Sequence, residues 1–332
     1  MNQNIVKDLS ILVLLKLILA SVFFYLYVIV LKQDLFLYPD FTNIYSDCSQ
    51  YYSNILYTKL LCSINFFGEN ALSPSSYFAI ILASVINIFI VASFYSLSTK
   101  YLNRSGQIIY ILMLALHPYM AIYFFRFYTE IFASLGILLI FFYGINNKKI
   151  DLFFLFSSIL LMNFRNGLIP VFFLFGIIEI LKSFKKDNKN QFSSFVLLAS
   201  CLISYVPVSE FSQDFSKMGA SFNILENALY TFGFRESVAI DGLNVLFRTG
   251  LYGYLQLIIG FSLIIVHFIG LLEILRFCLK VNPSILSVLI YLIIPILVIS
   301  HMRYLLPLMP LFLLGFCMFF CKKKFTQNRI LF

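Results

Sequence analysis

Long apolar runs alternate with short polar connections along almost the whole chain. A helix that crosses a bilayer needs about 20 predominantly apolar residues, because a rise of about 1.5 Å per residue must span about 30 Å of hydrocarbon. The pattern predicts an all-α polytopic membrane protein with about ten transmembrane helices. The apolar stretches are residues 9–31, 77–98, 107–125, 129–145, 151–162, 168–181, 192–208, 251–275, 284–300 and 303–320.

The composition agrees with this interpretation. Hydrophobic residues make up 61% of the 332 residues and charged residues only 12%, whereas a soluble domain has about 45–50% and about 25%. The excess excludes a soluble enzyme, a disordered protein and a disulfide scaffold. No internal repeat or flexible linker divides the chain, so we expect a single transmembrane domain over residues 1–332. The outer segments at about 32–76 and 209–250 are long, and residues 49–67 have the apolar spacing of an interfacial helix.

Lysine and arginine are distributed unevenly between the two sets of connections. The set that contains both termini holds fifteen basic and five acidic residues, whereas the alternate set holds eight basic and ten acidic ones. Because cytoplasmic connections are enriched in Lys and Arg, both termini are predicted to be cytoplasmic. The net charge of +9 is then a signal of topology, and no nucleic-acid partner is expected. Lys16 lies inside the first stretch, and we expect its side chain to snorkel toward the cytoplasm.

Polar side chains at the mouths of the apolar stretches fall mainly on the predicted outer side. Ionisable residues are costly in a membrane and are therefore candidates for function. Arg126 and Glu130 could alternatively form a helical ion pair, since they lie four residues apart. Arg165 and Arg303 could instead extend to lipid headgroups. The candidates are Asp40, Asp47, Arg126, Glu130, Arg165, Asn166, His301 and Arg303.

These side chains suit the transfer of a group away from a phosphate. Asp40 or Asp47 could deprotonate an attacking hydroxyl, while the planar fork of arginine matches phosphate oxygens in a way that lysine does not. His301 could donate a hydrogen bond to the phosphate or act as an acid. Nucleotide-activated donors are not supplied outside the cytoplasm, so a sugar on a polyprenyl phosphate or diphosphate is indicated. Asp40 and Asp47 could also hold a divalent metal, although the sequence offers no dedicated ligand set.

Three segments resemble the GT-C superfamily of integral-membrane glycosyltransferases. After the first span comes an acidic loop with the run D-x-x-x-Y-Y, from Asp47 to Tyr52. The segment that begins HPYMAIYFFRFYTE, at His117, resembles the region of these enzymes where an aromatic and arginine stretch precedes Thr-Glu and an apolar helix. The segment HMRYLLPLMP, at His301, resembles the start of one of their late helices.

The resemblance implies a GT-C-like fold, a polyprenyl-linked sugar donor and an extracytoplasmic active site in the cell (inner) membrane. The catalytic base would be Asp47 or Asp40, and the choice between them stays open. Arg165 and Arg303 would bind the donor phosphate. The other substrate-binding residues would be His301, Arg126, Glu130, Asn166 and Tyr304.

The resemblance also implies a glycan or lipid-linked acceptor, membrane lipids as the surroundings and inversion at the anomeric carbon. The task that fits such a chain is the assembly of a surface polysaccharide such as an O-antigen or capsule. The chain departs from the family pattern at two points. Asp40 is followed by Phe41 where many members have glutamate, and the large outer soluble domain of many members is absent.

Three other functions compete with this interpretation. An O-antigen polymerase would share the outer site and the lipid-linked donor, and many contain an arginine and a glycine separated by ten residues, as Arg165 and Gly176 are. A polysaccharide flippase or transporter would place polar groups near the middle of the bilayer, where this chain has few charges. An accessory scaffold of a polysaccharide complex would not need acids and arginines at one depth.

Overall fold

The computed structural model describes residues 3–25, 56–57, 59–60, 74–185, 191–205, 251–292 and 302–322. This part of the chain is almost entirely helical and contains no β-strand. Three 3₁₀ helices accompany the α-helices: Asn166–Leu168, Pro283–Leu292 and Met302–Leu305. The α-helices are α1 (Gln3–Phe24), α2 (Pro74–Ser98), α3 (Arg104–Leu116), α4 (Pro118–Ile122), α5 (Thr129–Ile145), α6 (Leu152–Phe164), α7 (Ile169–Lys185), α8 (Gln191–Tyr205), α9 (Leu251–Val281) and α10 (Met309–Cys321).

Each of the ten apolar stretches overlaps a helical element, which confirms the prediction of an all-helical protein at that level. Within the described residues, three helical segments are long and apolar enough to cross a membrane: Ile80–Ser98, Asn166–Phe184 and Gly260–Val281. The remaining apolar helices, such as Thr129–Ile145, are shorter. These helices are compatible with a membrane protein.

Three boundaries differ from the prediction, each for a local reason. Helix α1 begins at Gln3, because Lys7 and Asp8 continue the helical backbone before the apolar run starts. The stretch 107–125 is not one helix but breaks at His117, where Pro118 cannot supply a backbone N–H. The stretch that begins near residue 284 starts as the 3₁₀ helix Pro283–Leu292.

Ion pairs and capping bonds tie helix ends together on the side of the bundle where α1 begins. Arg104, at the start of α3, pairs with Asp8 of α1, and Tyr95 of α2 donates to the same carboxylate. Hydrogen bonds from the Arg104 guanidinium lower the pKa of Asp8 below its ordinary value. Lys182 of α7 bridges Glu179 and Asn282, at 2.7 and 2.9 Å. This side carries the basic connections that the charge count assigned to the cytoplasm.

Glycines let helices α9 and α10 approach until their backbones touch. A Cβ atom added to Gly270 would lie 2.0 Å from the carbonyl oxygen of Phe312, and one added to Gly315 would lie 2.2 Å from the carbonyl oxygen of Gly270. Small residues at such crossings are typical of helix packing in membranes.

Candidate functional site

Four segments converge at the other end of the bundle, and Arg165 lies where they meet. Arg165 follows helix α6, and its own backbone N–H donates to the carbonyl of Leu161 in the last turn. The neighbouring segments are the start of α5, the end of the 3₁₀ helix Pro283–Leu292 and the short helix Met302–Leu305. Residues far apart in sequence thereby form one polar cluster.

The guanidinium of Arg165 has a different partner on each nitrogen. Its Nε donates to the hydroxyl of Tyr291 at 3.3 Å, and its Nη1 donates to Thr129 Oγ1 at 3.1 Å. Its Nη2 lies 3.5 Å from Glu130 Oε1, and the cation sits 5.2 Å from the centre of the Tyr304 ring. Thr129 completes the cluster by donating to Glu130 Oε2 at 3.2 Å. We name Arg165, Glu130, Thr129, Tyr291 and Tyr304 the arginine cluster.

The arginine cluster is largely withdrawn from the surroundings. The side chain of Arg165 is 13% exposed and that of Glu130 is 3% exposed. Burial alone would lower the pKa of Arg165, but the oxygens of Tyr291 and Glu130 raise it above its ordinary value. The guanidinium therefore stays charged, and the prediction that Arg165 extends to lipid headgroups is wrong for this side chain.

Arg126 lies beside the arginine cluster but in a separate arrangement. It is buried, its Nη1 donates to the Tyr128 hydroxyl at 3.2 Å, and its guanidinium lies 5.2 Å from the centre of the Tyr123 ring. Because α5 begins at Thr129, Arg126 and Glu130 are not successive turns of one helix. The predicted helical ion pair is therefore wrong, and Glu130 pairs with Arg165.

The first outer segment reaches this region through Tyr57. Its hydroxyl donates to the carbonyl of Phe127 at 2.6 Å, and its ring stacks on the Phe127 ring at 5.8 Å. Residues 56–57 and 59–60 are helical, and the rest of the interfacial helix predicted over 49–67 lies outside the described residues. Tyr57 thus links that segment to the connection that carries Arg126.

Several predicted site residues lie outside the described residues. These are Asp40, Asp47 and His301. Arg303 belongs to the helix Met302–Leu305, one residue before Tyr304, and only its backbone is described. Asn166 directly follows Arg165 and is half-buried. No group of three or more metal-ligating side chains occurs in the described part of the chain; the predicted metal ligands Asp40 and Asp47 are not in that part.

Two members of the arginine cluster, Thr129 and Tyr291, cannot be selected as site residues from the sequence alone. Thr129 was visible only as part of the Thr-Glu pair before α5. Tyr291 sits in an uninterrupted apolar run, and nothing in its neighbours indicates that its hydroxyl meets an arginine 126 residues away. Such contacts depend on which helices become neighbours, and hydropathy does not report this.

A second group of polar side chains lies inside the bundle. Lys16 is 1% exposed, and its Nζ donates to the carbonyl of Leu114 at 2.9 Å. The prediction that it snorkels to the cytoplasm is wrong, because an internal acceptor is within reach. His117 and His267 are buried, with their Nε2 atoms 3.2 Å apart.

The hydrogen bonds of His117 assign its tautomer. Its Nδ1 accepts from the backbone N–H of Met120, so the ring proton of a neutral His117 is on Nε2. That N–H then donates to His267 Nε2, which leaves the His267 proton on Nδ1.

A lateral apolar groove opens between α2, α5 and α6. Its volume is about 560 Å³, within the range of ligand pockets. Phe89, Leu138 and Phe156 belong to its walls, with serines such as Ser157 among them. The groove begins at Leu161, one turn before Arg165, and extends from there toward the opposite end of the bundle.

Comparison with known proteins returns no match of the chain to a protein-family model, to a curated protein or to a solved structure.

Proposed function

We propose that the protein is an integral-membrane glycosyltransferase of GT-C-like architecture. It transfers a sugar from a polyprenyl-phosphate or polyprenyl-diphosphate donor to a glycan or lipid acceptor, on the extracytoplasmic face of the cell (inner) membrane. The proposal includes the predicted topology, in which ten crossings with both termini in the cytoplasm would bring the arginine cluster to that face. The observation that carries the proposal is the buried guanidinium of Arg165, fixed by four segments at the mouth of the bundle.

The geometry of Arg165 suits the binding of a phosphate. Tyr291, Thr129 and Glu130 each engage one nitrogen from the interior side. Among the described contacts, one hydrogen on each terminal nitrogen remains for a ligand, and such a pair matches two oxygens of one phosphate. Because the guanidinium is already held in place, little side-chain entropy is lost when the ligand binds.

In the proposed reaction an acceptor hydroxyl attacks the anomeric carbon of the donor sugar. The new glycosidic C–O bond forms as the C–O bond to the phosphate breaks, and the acceptor proton passes to Asp47 or Asp40. The bonding electrons leave with the phosphate, whose additional negative charge Arg165 stabilises. Arg303, His301 and Asn166 are proposed to complete the substrate contacts.

The lateral apolar groove supports a lipid-linked donor. It faces outward between helices, and its walls are formed mainly by Leu and Phe side chains, with three serines among them. A stretch of polyprenyl chain in this groove would bring its phosphate end toward Leu161 and hence toward Arg165. A water-soluble donor would gain nothing from such a surface.

The test is mass spectrometry of lipid-linked glycans in cells with and without the gene, followed by complementation. Wild-type protein should restore the mature glycan, and Arg165→Lys should lower transfer by roughly 10²-fold or more, because lysine cannot reproduce the fork. Asp47→Asn combined with Asp40→Asn should abolish transfer. Arg276→Lys is the matched control, since Arg276 is 64% exposed at the other end of the bundle.

The accumulated intermediate distinguishes the alternatives. A repeat unit that lacks one sugar supports the transferase, whereas complete single units without longer chains would identify a polymerase. Full activity of the double Asp variant would refute the transferase. Gly176, which forms the polymerase-like spacing with Arg165, is explained by helix packing. A Cβ on Gly176 would lie 2.9 Å from Leu198 Cδ2, where α7 packs on α8.

A flippase or transporter is the second candidate function, and a specific observation favours it. Lys16, His117 and His267 are buried within the bundle, whereas the sequence had suggested spans with few charges at their centres. Polar groups at that depth are typical of transport pathways. Movement of a lipid-linked glycan across a reconstituted bilayer without any new glycosidic bond would favour this function over the transferase.

A further inference from the structure

The connection between α3 and α5 contains non-helical backbone inside an apolar bundle. In a membrane, every carbonyl of such a segment needs an internal donor. A continuous helix would pair the carbonyl of Leu114 with the N–H of residue 118, but residue 118 is proline and has none. The break at His117 therefore leaves a carbonyl that another part of the protein has to satisfy.

Three side chains from three distant segments donate to carbonyls in the last turn of α3 and in this connection. Lys16 of α1 donates to Leu114 at 2.9 Å, and Asn87 of α2 donates to Phe124 at 2.9 Å. Tyr57 of the first outer segment donates to Phe127 at 2.6 Å. Side-chain hydrogen bonds thus hold the helix end before the connection, the middle of the connection and its end.

Lys16 is the most costly of the three donors to bury, because the desolvation of an ammonium group must be offset by a specific interaction. Lys16 is 1% exposed, and in the described part of the chain no carboxylate lies within ion-pair distance of it. The cavity between Lys16 and Glu130 has a volume of about 30 Å³, room for about two water molecules. A phosphate or a sugar is too large for it, so this cavity offers such a ligand no place beside Lys16.

The connection that Lys16 holds carries side chains of the candidate site. Arg126 and Tyr128 lie between α4 and α5, and Glu130 lies in the first turn of α5. We propose that Lys16 is a positioning residue: by donating to the carbonyl that Pro118 leaves without a partner, it fixes the break in the helix and hence the place of Arg126 and Glu130. The inference about the backbone is independent of chemistry; the effect on sugar transfer rests on the proposed function.

The backbone part is tested by thermal unfolding of purified variants in detergent. Lys16→Met, of similar length but without a donor, should raise the unfolding equilibrium constant roughly 10- to 100-fold, because a buried carbonyl loses its partner. Pro118→Ala alone should also destabilise the protein. Its new backbone N–H competes with Lys16 for the carbonyl of Leu114 and so leaves Lys16 buried without an acceptor. The double variant Lys16→Met/Pro118→Ala should be more stable than either single variant.

Lys7→Met is the control, because Lys7 lies on the same helix and is exposed. It should leave the stability unchanged. Additive losses in the double variant would overturn the proposal, as would a Lys16→Met protein as stable as wild type. These measurements need no activity assay, so they remain decisive if the protein proves not to be a glycosyltransferase.

The positioning part is tested by comparing Lys16→Gln with Lys16→Met in the transfer assay. Glutamine keeps an N–H donor without the charge, and the adjacent cavity has room for a bridging water if the shorter side chain falls short. The transfer rate of Lys16→Gln should stay within about tenfold of the wild-type rate, whereas the transfer rate of Lys16→Met should be lower still. Equal loss in both variants would show that the charge is required and would overturn the role as a backbone donor.

Discussion

At the scale of single residues, the arginine cluster explains why residue 165 is arginine. A planar group with nitrogens pointing in several directions can serve Tyr291, Thr129 and Glu130 at once and still lie over the Tyr304 ring. Lysine carries the same charge at one point only and could not hold all of these contacts together. The cluster therefore fixes geometry as well as charge.

The pair of Glu130 and Arg165 supports a prediction at the same scale. Glu130→Gln should lower the free energy of unfolding by about 3–5 kcal/mol, because it leaves a buried guanidinium without its countercharge. The double variant Glu130→Gln/Arg165→Met should lose less of the free energy of unfolding than Glu130→Gln alone, because no guanidinium is then left unpaired. Chemical or thermal unfolding in detergent measures both values. Glu273→Gln is the comparison, since its partners Arg276 and Lys322 are 64% and 40% exposed, and a loss as large as that of Glu130→Gln would contradict the argument.

At the scale of elements, apolar runs predicted where the helices are but not how their backbones continue. Hydropathy treats residues 107–125 as one stretch, although Pro118 divides it, and it gives no sign that Pro283–Leu292 is a 3₁₀ helix. Backbone continuity depends on hydrogen bonds, and the partners that stabilise the break come from α1, α2 and the first outer segment. A sequence without known contacts cannot supply those partners.

The crossing of α9 and α10 supports a prediction at this scale. Gly315→Ala or Gly270→Ala should lower the free energy of unfolding by about 1–3 kcal/mol. The new Cβ meets backbone atoms, so the two helices must separate. Gly136→Ala is the matched control, since its Cβ would meet only the end of the Leu168 side chain, which can move. Thermal unfolding in detergent measures the difference. Equal losses at all three positions would show that the helix crossing is not specially close.

At the scale of the whole molecule, every acidic side chain in the described part of the chain has a partner. Asp8 pairs with Arg104, Glu130 with Arg165, and Glu179 with Lys182, while Glu273 lies near Lys322 and Asp151 caps α6. Counting Lys and Arg predicted which connections share a side. It could not predict that the pairs join residues as far apart as 96 positions, because those distances close only when the helices pack.

The unequal charge of the two sides leads to the last prediction, which concerns orientation. In a variant whose native cysteines are replaced, a cysteine at Lys59 should react with a membrane-impermeant thiol reagent added to intact cells. A cysteine at Lys100 or Lys148 should react only after the membrane is permeabilised. All three positions are exposed, so access to the reagent depends on the side of the membrane and not on burial. The physical reason is the excess of Lys and Arg on the connections that contain residues 100 and 148, which are retained in the cytoplasm. The reverse labelling pattern would place the arginine cluster in the cytoplasm, where nucleotide-activated donors are abundant, and would remove the argument for a lipid-linked sugar.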